Sequence, residues 1–467
     1  MTVLLDLGAL KQPIQEAIAE FEQHADVNQL IDALRSVLIT FIEVLIASVL
    51  QQQLYDQQFL ASLKLLGAKA ALRFNGYRFT SVQLLSGRPI SIISPYFAKA
   101  RSKARTGRKA KKRQAKSGRH LGLSYLGFIG RCSTWLGSSA VQAALLCPSF
   151  EIARRTLKSY GIELNVKTIR RLCLDMGEQA MEHRQAITLS EADGVEGRTL
   201  CVFIDGGRLR ERRPKRGRRP TGQKRQGYHT DWREPTQLVI QWLDGEGRKC
   251  KETLPLYDAT LGDIDAAFEL LEGYLRQLEV SKADLVIFCA DGDRRYWKRF
   301  SSLAESLQIK AYCEVIDYTH AKQNLQEVLE KLPKKSGPSK LAAIAQEWKD
   351  LLWKGQLVEI YRQIRDFIKS PAKRKQALKK FKNYFLNNFR RMQYAAFRHL
   401  DLPTGSGCVE SAIRRVINLR LKSTGIFWKR QTAEAMLFLR STLLSGRWNT
   451  MLKNLLMINR CQFVGCN

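Results

Sequence analysis

Three acidic residues stand where folding can bring their carboxylates together. Asp205 and Asp291 each end an apolar run that predicts a β-strand, and Glu410 lies at the start of a basic, strongly helical run. Sites are commonly built at the carboxyl ends of strands. Carboxylate oxygens are hard ligands that suit Mg²⁺ or Mn²⁺ better than zinc. The pattern therefore predicts an oxygen-ligand metal site made from Asp205, Asp291 and Glu410.

The charge of the chain indicates a polyanionic partner for such a site. Its 467 residues include 77 Lys and Arg against 44 Asp and Glu, which gives a net charge of +33. A field of this sign most often attracts nucleic acid, and the natural substrate is then a phosphodiester. A ribosome-associated protein and a membrane-surface protein are the alternatives that fit the same composition.

Neither the cysteines nor the apolar segments indicate export. None of the ten cysteines belongs to a C-x-x-C pair, and most lie in apolar runs as expected of buried thiols. The first residues lack the basic start of a signal peptide. Residues 37–50, the most apolar stretch, contain Glu43 and are fewer than the roughly 20 that a transmembrane helix needs. We expect no membrane partner and a cytoplasmic or nucleoid location.

The N-terminal region is predicted to be mainly helical. Apolar residues recur at helical spacing through residues 1–73, and strands at 78–84 and 89–93 then form a hairpin. Residues 101–119 are a basic block without an acid, for which phosphate contact is expected and a solvated linker is the alternative. The candidate DNA contacts in this block are Lys109, Lys111, Lys112 and Arg113.

Residues 149–177 are predicted to form a helix-turn-helix. Ser149 and Asn165 are suited to cap two helices, and residues 160–162 suit the turn between them. Basic residues would project from the second helix, as in a recognition helix, and plain helix packing is the alternative. The candidate DNA contacts here are Lys167, Thr168, Arg170 and Arg171.

From residue 199 the pattern predicts alternating strands and helices. The order βββαβαβα is that of the ribonuclease-H fold, in which the first and fourth strands are neighbours, so Asp205 and Asp291 would meet. Amphipathic helices at 348–367 and 376–397 then separate Asp291 from Glu410 as an insertion. The predicted strands are 200–204, 237–243, 251–257, 284–290 and 310–316, and the predicted helices between them are 263–278, 296–307 and 320–332.

The predicted fold class is α/β, with a ribonuclease-H-like catalytic core that carries an all-helical insertion, plus a mainly α N-terminal DNA-binding region. The predicted parts are N-terminal helices and hairpin (1–100), a basic linker (101–125), a helix-turn-helix-like region (126–198), the first part of the core (199–332), the helical insertion (333–400), the last core helices (401–445) and a C-terminal tail (446–467).

These motifs together resemble the DDE transposases of Kra-type insertion sequences, which are related to the Mutator-like superfamily. The resemblance covers roughly residues 120–450. Its specific part is G-S-G-x-V-E-S at 405–411, followed by R-L-K-x-x-G-x-x-W at 420–428. D-G at 205–206, A-D-G at 290–292 and D-x-x-H at 317–320 also match. The resemblance implies a ribonuclease-H-like transposase that cuts and rejoins DNA.

The resemblance also implies roles for the acidic residues. Asp205, Asp291 and Glu410 match the three carboxylates that hold two Mg²⁺ or Mn²⁺ ions, which lie about 3.5–4 Å apart in such sites. Asp293 is a rival for Asp291. Glu410 could instead pair with Arg414, one helical turn further on.

Further residues of the motifs are candidates for DNA contact. His320 could orient a scissile phosphate, or lie at a helix start that Asp317 caps. Trp428 could stack on a base or be a core residue, and Lys422 is a candidate contact beside it. A second basic segment at 208–225 is predicted to be a loop and departs from the family pattern. Its candidate DNA contacts are Arg212, Arg213, Lys215, Arg216, Arg218 and Arg219.

The sequence therefore predicts a DNA transposase that acts on double-stranded element ends and target DNA as a homodimer or higher oligomer. One alternative is a ribonuclease-H-like nuclease or resolvase that cleaves without strand transfer. The other is a domesticated, catalytically silent DNA-binding protein. Inverted repeats that flank the gene would separate the transposase from both.

Overall fold

The structure is a computed structural model that describes residues 8–99, 118–219, 221–223, 226–332 and 337–464. It is a mixed α/β protein with two compact units. The first unit comprises Met1–Ala180 and Lys453–Asn467, and the second comprises Met181–Leu452. The candidate DNA contacts Lys109, Lys111, Lys112 and Arg113 of the basic block lie outside the described residues.

The first unit combines helices with a long β-hairpin. The hairpin strands pair antiparallel and are both longer than the sequence predicted. The elements of this unit are α1 (Gly8–His24), α2 (Val27–Tyr55), α3 (Gln57–Lys69), β1 (Leu72–Gln83), β2 (Pro89–Lys99), α4 (Leu121–Tyr125), β3 (Phe128–Ile129), β4 (Cys132–Ser133), α5 (Thr134–Leu146), α6 (Phe150–Ser159) and most of α7 (Val166–Met181).

Helix α2 is much longer than its most apolar stretch. It has 29 residues, so by length and composition it passes the test for a helix that could cross a membrane. The prediction that this segment is too short was wrong, because the helix continues through polar residues on both sides of residues 37–50. Core helices of soluble proteins can be as long and as apolar, but they are mostly buried, whereas 11% of the most apolar window of α2 is buried.

One side of α2 is hydrogen bonded to the hairpin of the same unit. The buried Glu43 carboxylate accepts the backbone N–H groups of Leu85 (2.7 Å) and Ser86 (2.8 Å) in the hairpin turn. Gln51 exchanges two hydrogen bonds of 2.7 Å with the backbone of Ile93. A buried carboxylate needs such partners, so this side of the helix packs on protein.

The second unit is built around a five-stranded sheet. Its strands are β5 (Thr199–Gly206), β8 (Thr236–Leu243), β9 (Leu256–Thr260), β10 (Leu285–Ala290) and β11 (Tyr312–Ile316), and a separate hairpin is formed by β6 (Leu209–Pro214) and β7 (Tyr228–Arg233). The helices are α8 (Arg184–Thr188), α9 (Ile264–Gln277), α10 (Arg294–Ser306), α11 (Tyr318–Leu329), α12 (Pro338–Trp353), α13 (Leu357–Phe367), α14 (Pro371–Tyr384), α15 (Tyr394–His399), α16 (Gly407–Ile413), α17 (Leu419–Leu421), α18 (Arg430–Leu444) and α19 (Trp448–Val464), of which α19 continues into the first unit.

The strand order of the sheet is β11-β10-β5-β8-β9. Strand β5 pairs parallel with β10 and antiparallel with β8, and β10 pairs parallel with β11. All eight residues of β8 are buried, as expected of a strand covered on both faces. The predicted neighbourhood of the first and fourth strands of this sheet, β5 and β10, is confirmed.

Three local predictions for this unit were wrong. The third strand lies at Leu256–Thr260 rather than 251–257, because the charged residues and proline of 251–255 do not suit a buried ladder. Residues 208–225 are not a simple loop, since they include strand β6. The helix predicted at 348–367 is broken between α12 and α13, where Gly355 adopts a positive φ of 69°.

The helical run after Glu410 is also interrupted. Helix α16 passes through a π-helical turn at Arg414–Asn418 into α17, which ends at Leu421. An irregular segment at 422–429 separates this run from α18. The helix predicted at 376–397 is likewise divided into α14, a 3₁₀ turn at Leu386–Met392, and α15.

We predict that Glu43→Ala lowers the free energy of unfolding by about 2–4 kcal/mol, because it leaves buried donors of the hairpin turn without an acceptor. Urea denaturation monitored by circular dichroism measures the loss. Glu22→Ala, a change at an exposed position on α1, is the matched control and should be nearly neutral. Equal effects of the two changes would mean that Glu43 does not hold the turn.

Candidate active site

The register of the sheet places Asp205 and Asp291 at the same edge. Phe203 of β5 lies opposite Cys289 of β10, and each aspartate is the second residue beyond its member of that pair. Because the two strands are parallel, their carboxyl ends lie at the same edge of the sheet. Both side chains are half-buried. The structure therefore brings together the two aspartates that the sequence singled out.

The pKa of Asp205 is influenced by the two other carboxylates, those of Asp291 and Glu410. Burial is the main reason that the pKa of Asp205 is raised to about 6, and the negative charges of Asp291 and Glu410 contribute to the rise. The N–H of Gly206, 2.7 Å from Oδ1, and the charge of His320 act in the opposite direction. One carboxylate raises the pKa of another carboxyl group only when the two are close together. Glu410, which is remote in sequence, is therefore close to the strand ends.

Glu410 lies in the first turn of α16 and is exposed. Within the described part of the chain its carboxylate makes no ion pair with Arg414, the alternative partner that the sequence left open. The backbone of Glu410 is hydrogen bonded to the residue that precedes α16, since its N–H donates to the carbonyl of Ser406 (3.1 Å). The carboxylate is thus presented to solvent at the edge that carries the aspartates.

The fully buried Asp317 connects this loop to the sheet. Its Oδ1 accepts the N–H groups of Thr319 (3.0 Å) and Ser406 (3.1 Å), and its own N–H donates to the carbonyl of Ala290 (3.0 Å). Asp317 caps the N-terminus of α11, as one of the two sequence interpretations proposed. Asp317 therefore holds the end of β11 through its backbone and the start of the Glu410 helix through its carboxylate.

His320 forms an ion pair with Asp317. Its Nδ1 lies 2.9 Å from Oδ2 of Asp317, and its side chain remains 27% exposed. This contact, with smaller contributions from Asp205 and Asp291, raises the pKa of His320 to about 9 against the effect of burial. Burial alone would raise the pKa of Asp317, but His320 and Ser406 hold it at about 2. At neutral pH the site thus contains a cationic imidazole beside its carboxylates.

Asp293 has a separate structural role. It caps α10 by accepting the N–H of Arg295 (2.9 Å), and the Arg295 guanidinium binds its other oxygen at 2.6 and 2.9 Å. These contacts lower the pKa of Asp293. Asp291 instead accepts the N–H of Asp293 (2.8 Å), and burial raises its pKa. Of the two rivals, Asp291 is the one that faces Asp205.

The carboxylates supply the hard oxygen donors that Mg²⁺ and Mn²⁺ prefer. Burial and mutual repulsion raise the pKa of Asp205, and a bound dication would relieve that repulsion. Across the described residues, no three or more His, Cys, Asp or Glu side chains are grouped closely enough to hold one ion as they stand. By its chemistry the donor set suits a divalent metal.

Two tyrosines beside the aspartates were not identified from the sequence. Tyr384 of α14 packs on Gly292 so closely that a Cβ at position 292 would overlap its ring. Tyr296 of α10 is buried, and burial together with Asp291 and Asp205 raises its pKa. The only sequence signal was the glycine after Asp291, which a close neighbour would explain.

Trp428 is a core residue rather than an exposed stacking platform. It is 5% exposed, its Nε1 donates to the carbonyl of Leu421 (3.1 Å), and its backbone bonds to Arg210 and Arg212 of β6. Base stacking on Trp428, one of the two interpretations of the sequence, is therefore wrong for this conformation. Lys422 is exposed, so it remains available for phosphate contact.

The basic segment after Asp205 contains one arm of the hairpin, β6, and part of its tip. Arg212 is half-buried, and the Nε of Arg213 donates to Asp231 (2.8 Å) across the hairpin. The pairing of Arg213 offsets part of its charge. The remaining predicted DNA contacts in the described part of this segment are exposed, and they are Lys215, Arg216, Arg218 and Arg219.

The two helices predicted at 149–177 are present in the first unit as α6 and α7. Ser149 accepts the N–H of Ile152 (3.1 Å) at the start of α6, and Asn165 accepts that of Thr168 (2.8 Å) at the start of α7. Gly161 between them has a φ of 76°. Both helices and both caps are confirmed.

The second helix presents its basic residues outward. Ile169 and Leu172 are buried, as predicted, and Arg171 lies 3.9 Å from Asp175 in a loose ion pair. A pair this exposed contributes little and does not prevent DNA contact. The candidate contacts Lys167 and Arg171 are exposed, while Thr168 and Arg170 are half-buried.

No family model, curated protein or solved structure matches this chain. The function is therefore inferred from the chemistry of the site itself: three carboxylates at one sheet edge, a cationic histidine, and a strongly basic surface.

We predict that Asp205→Asn stabilises the metal-free protein at neutral pH. The pKa of Asp205 is about 6 in the folded state against a usual 3.8, so its ionisation costs stability above pH 6 and nothing below pH 4. The gain in the free energy of unfolding should rise from near zero at pH 4 to about 1–3 kcal/mol at pH 8. Urea denaturation in EDTA across this range measures it.

Asp293→Asn is the control, and it should act in the opposite direction. Its contacts with Arg295 lower the pKa of Asp293, so removal of its charge should destabilise the protein at neutral pH. If Asp205→Asn gave no larger gain at pH 8 than at pH 4, Asp205 would not be strained by burial and by its acidic neighbours.

Proposed function

We propose that this protein is a DNA transposase, in which Asp205, Asp291 and Glu410 form the metal-dependent site that cuts and joins DNA strands. One observation carries the proposal: Asp205 and Asp291 lie at the neighbouring ends of β5 and β10, and the charges of Asp291 and of Glu410, in the first turn of α16, both raise the pKa of Asp205. Such a set on a chain of net charge +33 suits phosphodiester chemistry.

The sheet topology supports a ribonuclease-H-like core. The first strand, β5, has the antiparallel β8 on one side, followed by β9, which is antiparallel to β8, and it has the parallel β10 and β11 on the other. This is the arrangement expected from the βββαβαβα order. Within the second unit the helices from α12 to α15 interrupt this core between β11 and the Glu410 helix. An insertion at this place accounts for the long separation between Asp291 and Glu410.

Asp205, Asp291 and Glu410 would hold two Mg²⁺ or Mn²⁺ ions. When bound, such ions lower the pKa of a water or a DNA 3′-hydroxyl and stabilise the leaving oxygen. The cationic His320 would bind a non-bridging oxygen of the scissile phosphate. Asp317 keeps His320 charged and oriented, because their ion pair raises the pKa of His320 to about 9. His320 and the metal ions would then both stabilise the negative charge of the phosphate.

The basic surfaces support double-stranded DNA as the partner. Exposed lysines and arginines at the tip of the β6–β7 hairpin follow Asp205 closely in the chain, so they suit the backbone of DNA that enters the site. Lys167 and Arg171 on α7 suit recognition of the element ends. Cutting two ends and joining them to a target requires two active sites, which is why we propose a homodimer or higher oligomer on DNA.

The motif at 405–428 distinguishes a transposase from other enzymes of this fold. G-S-G-x-V-E-S followed by R-L-K-x-x-G-x-x-W resembles Kra-type insertion-sequence transposases. Structural roles account for several of these positions: the Ser406 N–H binds Asp317, and Trp428 is a core residue between Leu421 and β6. The resemblance therefore rests on Ser406 and Trp428, which shape this part of the fold, as well as on the carboxylate of Glu410.

We predict that Asp205→Asn, Asp291→Asn and Glu410→Gln each lower the rate of Mg²⁺-dependent DNA cleavage by at least about 10³-fold, as expected when a metal ligand in a preorganised site is lost. The assay uses a labelled duplex that contains the sequence flanking the gene, with separate detection of nicked and strand-transfer products. DNA affinity should remain within about threefold, because the cations that set it are unchanged.

Asp284→Asn is the matched control, since Asp284 is exposed at the opposite end of β10 and should not affect cleavage. A wild-type rate for any of the three variants would remove that residue from the site. Nicking without joined products would favour a nuclease or resolvase, and binding without nicking would favour a catalytically silent DNA-binding protein.

A further inference from the structure

Among the described residues, the arginines on one face of the β6–β7 hairpin are paired with acidic residues, and those on the other face are not. On one face the acidic residues of both strands pair with arginines: Arg213 with Asp231, and Arg233 with Glu211 at 2.6 Å. Glu211 is buried, so this face is the one turned toward protein. Strand residues alternate between faces, so the opposite face carries the intervening positions.

The opposite face, here called the aromatic face, contains Arg210, Arg212, Tyr228 and Trp232. The register pairs Arg210 directly with Trp232, and the guanidinium lies 4.6 Å from the ring centroid. Arg212 lies 5.8 Å from the ring of Tyr228. The ring of Phe427 lies close to two of these residues: its centroid is 5.9 Å from that of Tyr228 and 5.8 Å from the guanidinium of Arg210. In the described residues no acid is paired with Arg210 or Arg212.

The aromatic rings of this face are accessible. Trp232 is 54% exposed and Tyr228 is 45% exposed, although arginines stack on both. A stack that served only to support the hairpin would bury these rings, since each large aromatic side chain gains stability from burial. One side of each ring is therefore available to a planar partner in solution.

A cavity of about 250 Å³ opens beside Trp232. Arg210 and Trp232 line it on the hairpin side, and its other lining residues are Leu421, Lys422, Ser423, Thr424 and Ile426. It is smaller than the roughly 300–1,000 Å³ of sites that enclose whole drug-sized ligands. An aromatic wall with two cations at its rim suits a single planar base and its phosphate.

This cavity lies within reach of the carboxylates. Arg210 is the fifth residue after Asp205, a span of at most about 18 Å. On the other side, residue 421 is eleven residues beyond Glu410 along a nearly continuous helical run, about 16 Å. A DNA strand that passes through the site would therefore reach the cavity within a few nucleotides.

We propose that the aromatic face and its cavity bind one unpaired nucleotide of the DNA strand, with the base stacked on Trp232 and the phosphate on Arg210 and Lys422. This inference rests on the proposed function only in taking DNA as the substrate. Stacking on an aromatic ring does not require a particular base, so the face would hold strand ends or distorted duplex without reading sequence.

The test measures binding of a fluorescein-labelled ten-nucleotide oligothymidylate to the full chain in EDTA, where no metal-dependent cleavage occurs. Trp232→Ala should weaken binding by about 5- to 150-fold, the range observed for loss of one base–aromatic stack. Trp232→Phe should retain most of the affinity because it keeps a ring. Trp135→Ala is the matched control, since Trp135 is 55% exposed in the first unit, and it should bind like wild type.

A second arm uses a fully paired duplex of the same length, for which Trp232→Ala should change the affinity less than about twofold, because paired bases do not reach the ring. If Trp232→Ala bound the oligothymidylate as tightly as wild type, or if Trp135→Ala lost as much, the proposal would be overturned. Absence of cleavage by wild type in Mg²⁺ would contradict the transposase proposal alone, because the EDTA measurement does not depend on it.

Discussion

The buried carboxylate of Asp317 is the interaction on which the candidate site depends. It is fully inaccessible to solvent, and it binds the backbone of Ser406, 89 residues away, as well as the imidazole of His320. Removal of one partner from such a buried pair typically costs about 3–5 kcal/mol. Because Ser406 directly precedes α16, this carboxylate holds Glu410 near the strand ends although a whole helical insertion separates them in the chain.

Without a ligand, the negative charges of the site are not fully neutralised by the protein. Burial raises the pKa of Asp205 and Asp291, so their ionised forms are held at a cost in stability. His320 compensates only in part, since Asp317 already pairs with it. Divalent metal ions would supply the missing positive charge, and the basic surface would then attract the polyanion that the metals act on. Strain of this kind is typical of functional sites.

Local signals allowed much of this arrangement to be predicted. The strands that end at Asp205 and Asp291 were identifiable from apolar runs, and the caps Ser149 and Asn165 from residue type alone. What the sequence did not reveal depends on contacts between distant segments. The β6–β7 hairpin was hidden because arginines occupy both of its faces, and the burial of Trp428 follows from its pairing with β6.

Iron-directed cleavage of the protein backbone tests most directly whether the three carboxylates form one metal site. Fe²⁺ bound in place of Mg²⁺ generates hydroxyl radicals with ascorbate and peroxide, which cut the chain near the ion. We expect fragments that end near residues 205, 291 and 410 together, and Mg²⁺ or Asp205→Asn should suppress all three cuts at once. Cuts confined to one of these segments, or cuts that persist in Asp205→Asn, would contradict a shared site.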